Sequence, residues 1–314
     1  MKGVGEGMNE RMYDVIILGT GPAGLQAAIH ASRRKVSVLV LGKLRKSSAF
    51  GAHVENYCCV DGDTGADLLK GGYEKGRQAG VEFREEDVTA LTEKDGSFTV
   101  ALESGRTVTG RAVILAMGIS RKKLELKGEK EFIGRGVSYC ADCDAGFYRD
   151  QTVAIIGCES AAVSSALTML FYAKQVHLVC EKLDVADELA EKMKQSEIIL
   201  HEGRGVTEII ADKAVEGIVL DDGSRIDLTG IFIVLGAKGA VDLAAGLGVA
   251  LDAETMKYIA ANKKQETNLA GIYAAGDICG PPWQVAKAVG EGCVAGLEAA
   301  AYAKKKKALE QAPS

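Results

Sequence analysis

Two thiols stand two residues apart in Cys140-Ala141-Asp142-Cys143, and Asp144 follows at once. That spacing lets the pair close into a small disulfide. C-x-x-C settings commonly depress one thiol pKa, giving a thiolate able to attack another disulfide. Asp144 is placed to hold or deliver the proton that must move when electrons pass. The competing chemistry is half of a zinc site, which needs four ligands. The only other close pair, Cys58-Cys59, has adjacent residues and lacks ligand spacing. The expectation is therefore redox chemistry at Cys140, Cys143 and Asp144, and no metal. Cys58, Cys59, Cys158, Cys180, Cys279 and Cys293 are read as structural or incidental.

The second constellation is made of glycines. Tyr13 to Leu18 (YDVIIL) reads as a buried parallel strand, followed by Gly19-Thr20-Gly21-Pro22-Ala23-Gly24, a helix-forming LQAAIHASRR and a strand KVSVLVL. In such a βαβ unit Gly19 makes the tight turn and Gly21 lets a pyrophosphate approach the backbone. Gly24 lets the helix pack on the strand. The phosphates then meet the helix N-terminus. One part of an NAD fingerprint is missing, because the second strand ends Leu41-Gly42-Lys43 with no acid to hold a ribose hydroxyl. A second unit of the same kind runs from strand Thr152 to Ile156 through Gly157 and a helix, SAAVSSALTMLFYA, to strand Gln175 to Cys180.

These units need a chain long enough for two cores, and 314 residues with 47% apolar content supply it. The late segment GIYAAGD, Gly271 to Asp277, precedes a long small-residue helix and reads as a return to the first domain. The expected fold is α/β, with two Rossmann-like three-layer dinucleotide-binding domains, the second inserted into the first. The boundaries fall at 1–118 with 246–314, and at 119–245. A net charge of −5 spread along the chain gives no reason to expect a nucleic-acid partner. Lys304 to Lys307 read as a solvated helix end. No apolar run is long enough to span a bilayer, and the N-terminus lacks a signal-peptide core, so a soluble, cytoplasmic protein without a membrane partner is expected.

GTGPAGLQAAIHASRR, SYCADCD at 138 to 144, and GIYAAGD with Gln284 occur together and in this order. The chain thereby resembles the low-molecular-weight thioredoxin reductases over nearly all of residues 13 to 303. The resemblance implies FAD on the first domain, held by Gly19, Gly21, Pro22, Ala23 and Gly24, with Gly42 where an acid is absent. Asn56 matches a polar contact to the flavin ring. Met117 and Gly118 lie in VILAMG, the crossing between domains. Gly276 and Asp277 match the hold on the flavin's sugar-alcohol chain, with Trp283, Gln284 and Val285 following. It further implies thioredoxin as partner, Cys143 facing the flavin, a homodimer, and hinges near 118 and 245. Where the family has a glycine-glycine-glutamine turn, this chain has Ser47-Ser48-Ala49-Phe50-Gly51.

The second nucleotide turn departs from that family. Glu159 stands where its second glycine should be, adding bulk and negative charge where a pyrophosphate would approach. After strand Gln175 to Cys180, where arginines would grip the extra phosphate of NADPH, the chain has Glu181-Lys182-Leu183. His177 reads as a satisfied core residue. The pattern resembles the pyridine-nucleotide-independent branch, whose members take electrons from reduced ferredoxin or from a reduced deazaflavin coenzyme. Trp283 stands where NADPH-dependent members usually have arginine. The leading expectation is a relay from ferredoxin through FAD and Cys140–Cys143 to thioredoxin. The alternatives are the same relay fed by a deazaflavin or by NAD(P)H, and a flavin-based redox sensor.

Overall fold

The computed structural model describes residues 11–52, 54, 56–58, 64–119, 124–139, 141–235, 240–254 and 256–311, with backbone alone at 142, 143, 240 and 242. The chain divides into two compact units. Met1–Leu102, Arg106–Ile119 and Gly239–Ser314 form one, and Glu103–Gly105 with Ser120–Lys238 form the other.

The first unit opens with β1 (Met12–Leu18), α1 (Pro22–Arg33) and β2 (Val38–Leu41), then α2 (Gly65–Gln78) and β3 (Glu82–Arg84). A hairpin pair, β4 (Val88–Lys94) and β5 (Ser97–Leu102), leads to the long strand β6 (Thr107–Leu115). The sheet order is β3-β2-β1-β6-β5-β4, parallel from β3 to β6 and antiparallel beyond it. β1 is apolar on both faces because each face has its own core. Ile16 and Leu18 pack with Leu39, Val100 and Val113, whereas Val15 and Ile17 pack with Ala27, Val40 and Ala299.

The second unit holds β7 (Val137–Ser138), α3 (Ala141–Asp144), β8 (Thr152–Ile156), α4 (Ser160–Met169), β9 (Gln175–Cys180), α5 (Asp187–Lys194) and β10 (Ile199–Glu202). It continues with an antiparallel sheet, β11 (Val206–Ala211), β12 (Val215–Leu220) and β13 (Arg225–Asp227), and closes with β14 (Gly230–Ile233). Its main sheet, β10-β9-β8-β14-β7, is parallel throughout. α4 stops at Met169, short of the Ala173 expected from its apolar run. The amides of Tyr172 and Ala173 both turn back to the Met169 carbonyl (3.0 and 2.8 Å), which brings Lys174 N to Gln151 O at 2.9 Å and starts β9 beside β8.

The chain returns through α6 (Ala240–Ala245), β15 (Ile272–Ala274) and α7 (Val285–Glu310). α6 belongs with the first unit, since Leu243 and Ala244 are buried among Leu91, Val249 and Ile259. β15 pairs with the C-terminal half of β6. α7 carries no long side chain on the face toward α1. A Cβ on Gly292 would lie 2.2 Å from Ala23 O, and one on Gly296 would lie 2.3 Å from Ala27 O. Those carbonyls are helix backbone and cannot rotate away, so only glycine permits this crossing. Among the described residues, no helix is long and apolar enough to cross a membrane.

Candidate active site

The turn between β1 and α1 separates the roles of its glycines in space. Gly19 has φ +116, and a Cβ there would sit 2.3 Å from Ala116 O. A Cβ on Gly24 would sit 2.0 Å from Gly19 O, so this glycine lets the helix close on the strand. Gly21, the N-cap, faces open space, with only Ser47 Oγ at 3.4 Å. Pro22 occupies the first helical position, where its missing N–H costs nothing, and Ala23 is buried. No acid stands in the first turn of α1, so its free amides and dipole face an anion without competition. Gly42, at the end of β2 with φ +135, leaves clear the space above Gly19 and Thr20, 3.6 Å from a would-be Cβ. Lys43 beyond it is held by the buried Asp87 at 3.1 Å.

The late segment comes to the same turn. Gly276 has φ +89, and a Cβ there would meet Ala23 Cβ at 2.9 Å, so Asp277 opens its short 3-10 turn beside the start of α1. Two residues that the sequence reading missed clamp this loop. Lys287 Nζ donates to the carbonyls of Gly276 and Gly280 (2.8 Å each) and pairs with Glu291 at 3.0 Å, while Gly276 N donates to Glu291 Oε2 at 2.8 Å. Their signal was an i,i+4 charge pair inside an otherwise small-residue helix. Asn56 Nδ2 donates to Gln284 Oε1 at 2.8 Å, joining two expected flavin contacts 228 residues apart in the chain. Trp283 is 46% exposed, Val285 begins α7, Met117 packs partly buried on the core and Gly118 has φ +66. Ser47, in the segment that departs from the family's turn, stands at the mouth of Gly21. These residues fit a dinucleotide, such as FAD, whose ribose is not gripped at the end of β2.

In the second unit Cys140 lies outside the described residues, and α3 contributes only the backbone of Cys143. What flanks them is described. Ser138 Oγ donates to Asp144 Oδ2 at 2.7 Å, tying the strand before the cysteines to the acid after them. Tyr139 Oη donates to Glu129 Oε1 at 2.6 Å, and Glu129 is 2% exposed. Its other oxygen meets no donor among the described residues. Burial, then the hydrogen bond and charge of Glu129, push the Tyr139 phenol up, so it remains a donor. Tyr139→Phe removes the one side-chain hydrogen bond that the Glu129 carboxylate accepts among the described residues. It should cost about 1.5–3 kcal/mol in urea unfolding, and an unchanged midpoint would deny the pair a structural role.

The turn after β8 repeats the close approach but not the opening. A Cβ on Gly157 would lie 2.0 Å from Val234 O. The backbone of Glu159, the N-cap residue of α4, forms an isolated parallel β-bridge with that of Asp184, and Asp184 N donates to Cys158 O at 2.8 Å. Glu181 and Lys182 are exposed, and Glu202 lies opposite Cys180 on β10. The nearby Arg204 is engaged with Asp222 at 3.0 Å and Asp221 at 4.0 Å. His177 is buried as expected, but its Nδ1 lies 2.8 Å from His201 Nε2, and burial pushes its pKa down to about 4.

Residues 13–292 match the model for the pyridine nucleotide-disulphide oxidoreductases. The thioredoxin reductase of Aquifex aeolicus is 35% identical over 303 residues, 92% of either chain. Among solved structures, the atypical thioredoxin reductase TRi from Desulfovibrio vulgaris Hildenborough superposes with a TM-score of 0.82 at 31% identity, covering 94% of this chain and 99% of the other. A ferredoxin-flavin thioredoxin reductase from Clostridium acetobutylicum does so with a TM-score of 0.67 at 33% identity, again covering 94% and 99%. The chain belongs to the pyridine nucleotide-disulphide oxidoreductase family, as a flavoprotein disulfide reductase homologous to the low-molecular-weight thioredoxin reductases.

Proposed function

We propose that this protein reduces thioredoxin disulfide with electrons from reduced ferredoxin, through FAD and the Cys140–Cys143 pair, without using NADPH. The observation that carries this reading is the contrast between the two turns. The first is open at Gly21 with no acid in the first turn of its helix, and the second has the side chain of Glu159 at the N-cap. A ferredoxin needs no nucleotide pocket, and one structural relative is by name a ferredoxin-flavin thioredoxin reductase.

Gly19, Gly21, Pro22, Ala23 and Gly24 hold the pyrophosphate of FAD. Gly276 and Asp277 hold its sugar-alcohol chain, and Asn56 with Gln284, Trp283 and Val285 border the ring. Gly42 leaves the second strand end clear, and Met117 with Gly118 form the crossing. Bound there, FAD supplies a two-electron store that a one-electron donor can fill stepwise. Cys143 faces the flavin and Cys140 attacks the thioredoxin disulfide, releasing one thioredoxin thiolate. The Cys143 thiolate then displaces the second, so protein disulfide and thioredoxin dithiol are formed together. Asp144, oriented by Ser138, takes and returns the proton. The working unit is a homodimer whose segments near 118 and 245 act as hinges. Free thiols at Cys158, Cys180, Cys279 and Cys293 suit the cytoplasm, where thiols stay reduced.

An anaerobic steady-state assay tests the reading. Reduced ferredoxin should sustain formation of thioredoxin thiols at rates typical of enzymes, about 1 s⁻¹ or faster. Turnover with a reduced deazaflavin but not with ferredoxin would change the donor. No turnover with either would remove the relay.

A further inference from the structure

Tyr139 is the last residue before Cys140, and the sheet holds it at its margin. β7 is the edge strand of its sheet, with β14 as its neighbour there, and the ladder between them covers Val137 and Ser138. Tyr139 is 36% exposed, yet its Oη donates at 2.6 Å to the buried Glu129. The acid is itself fixed. Glu129 N donates to Leu126 O at 3.1 Å, Phe132 N donates to Gly128 O at 3.0 Å, and Phe132 O accepts from Val137 N at 3.0 Å. Phe132 and Leu126 pack with Val137, Val215 and Ile231 in the core of the second unit. The phenol thus ties the exit of β7 to a turn that belongs to the core.

We propose that Glu129 and Tyr139 are positioning residues for disulfide exchange: Glu129, acting through Tyr139, fixes the backbone from which Cys140 attacks the thioredoxin disulfide. The proposal rests on the exchange step given to Cys140 above. In that step the thioredoxin S–S bond breaks, a mixed disulfide forms and one thioredoxin thiolate leaves. No electron or proton passes through Tyr139 or Glu129, which act on the geometry alone.

Two observations favour this role over a purely structural one. The second Glu129 oxygen meets no donor among the described residues, so the carboxylate is a poor choice for stability, where an apolar pair of the same volume would serve as well. The tether also stands where geometry matters most. Tyr139 and Cys140 share a peptide bond, so their Cα atoms are about 3.8 Å apart, and a swing of one moves the other. A thiolate attacks in line with the bond it breaks, and a misplacement of about 1 Å slows such a step by about 10²-fold. The neighbouring tether does a different task. Ser138 Oγ, bonded to Asp144 Oδ2 at 2.7 Å, closes the C-x-x-C-D segment on itself, and Tyr139 joins that closed segment to the core.

The holoprotein, reduced with dithiothreitol and freed of it, is mixed anaerobically with oxidised thioredoxin, so no electron donor enters the test. Thioredoxin thiols are counted after acid quench and alkylation. In Tyr139→Phe their formation should slow about 10- to 100-fold. Glu129→Gln keeps an acceptor for the phenol and should stay within about threefold of the unsubstituted protein. Iodoacetamide is small and needs no docking, so its reaction with Cys140 should keep its rate and its pH midpoint in Tyr139→Phe. Alkylation of the buried Cys180 reports any unfolding. Tyr139→Phe combined with Glu129→Leu leaves no unpaired carboxylate at the site. This double variant should regain the urea midpoint that Tyr139→Phe loses and yet exchange as slowly. Exchange by Tyr139→Phe within about twofold of the unsubstituted rate would overturn the proposal. So would a shifted alkylation midpoint, which marks an effect on the thiolate itself, or a double variant that recovers rate together with stability. No exchange in the unsubstituted protein would sink the relay, and this proposal with it.

Discussion

Serine at either Cys140 or Cys143 is expected to lower thioredoxin-disulfide turnover by at least about 10³-fold, the scale on which losing a nucleophile acts. Exchange between two dithiol–disulfide couples needs a sulfur to attack and a second sulfur to resolve. A hydroxyl is neither thiolate nor leaving group at neutral pH, so each variant fails at a different step. With Cys143→Ser, Cys140 still captures thioredoxin but the mixed disulfide is not resolved, and a covalent complex accumulates. With Cys140→Ser no such complex forms through the exchanging position. Both variants keep their flavin, because Gly19, Gly21, Gly24 and the clamped Gly276 belong to the other compact unit. Turnover within tenfold of the unsubstituted protein in either variant would refute the relay. Trapping by Cys140→Ser but not by Cys143→Ser would exchange the two roles.

Legibility followed the physics of each signal. The βαβ units were readable because their strands are apolar and short, and because glycine is required wherever backbone must touch backbone, as at Gly19 and Gly24. The return segment was readable from GIYAAGD, whose strand pairs with β6. Contacts fixed by tertiary convergence were not readable. Nothing local in Glu129 marks it as the buried acceptor of Tyr139, nor Glu291 as the acceptor of the Gly276 amide. His177 was legible as a core residue, but its partner His201 sits on the next strand and has no spacing signature. The end of α4 was overestimated because LFYA continues the apolar run, whereas the chain must turn at Met169 to start β9. The cysteine spacing itself was plain in the sequence, while Cys140 lies outside the described residues.

NADPH and NADH are expected to leave the flavin oxidised under conditions in which reduced ferredoxin bleaches it. Three features of the second turn act together. Glu159 puts a carboxylate side chain at the N-cap of α4, where a pyrophosphate would touch backbone. The stretch after β9 offers Glu181 and Lys182 in place of a guanidinium fork. Arg204, which follows β10, is engaged with Asp221 and Asp222. Two missing charge-assisted phosphate contacts, each worth about 1.5–3 kcal/mol, weaken binding about 10²–10⁴-fold before the repulsion of Glu159 is counted. The argument also runs in reverse. Glu159→Gly alone should restore little, since it opens the turn without supplying a phosphate ligand. Combined with Glu181→Arg and Lys182→Arg, it should raise the rate of flavin bleaching by NADPH at least about 10²-fold, with a smaller gain for NADH, which lacks the extra phosphate. Anaerobic stopped-flow absorbance of the flavin reads both results. Rapid bleaching of the unsubstituted protein by micromolar NADPH would show that Glu159 does not close the site, and would return the protein to the nucleotide-dependent reductases.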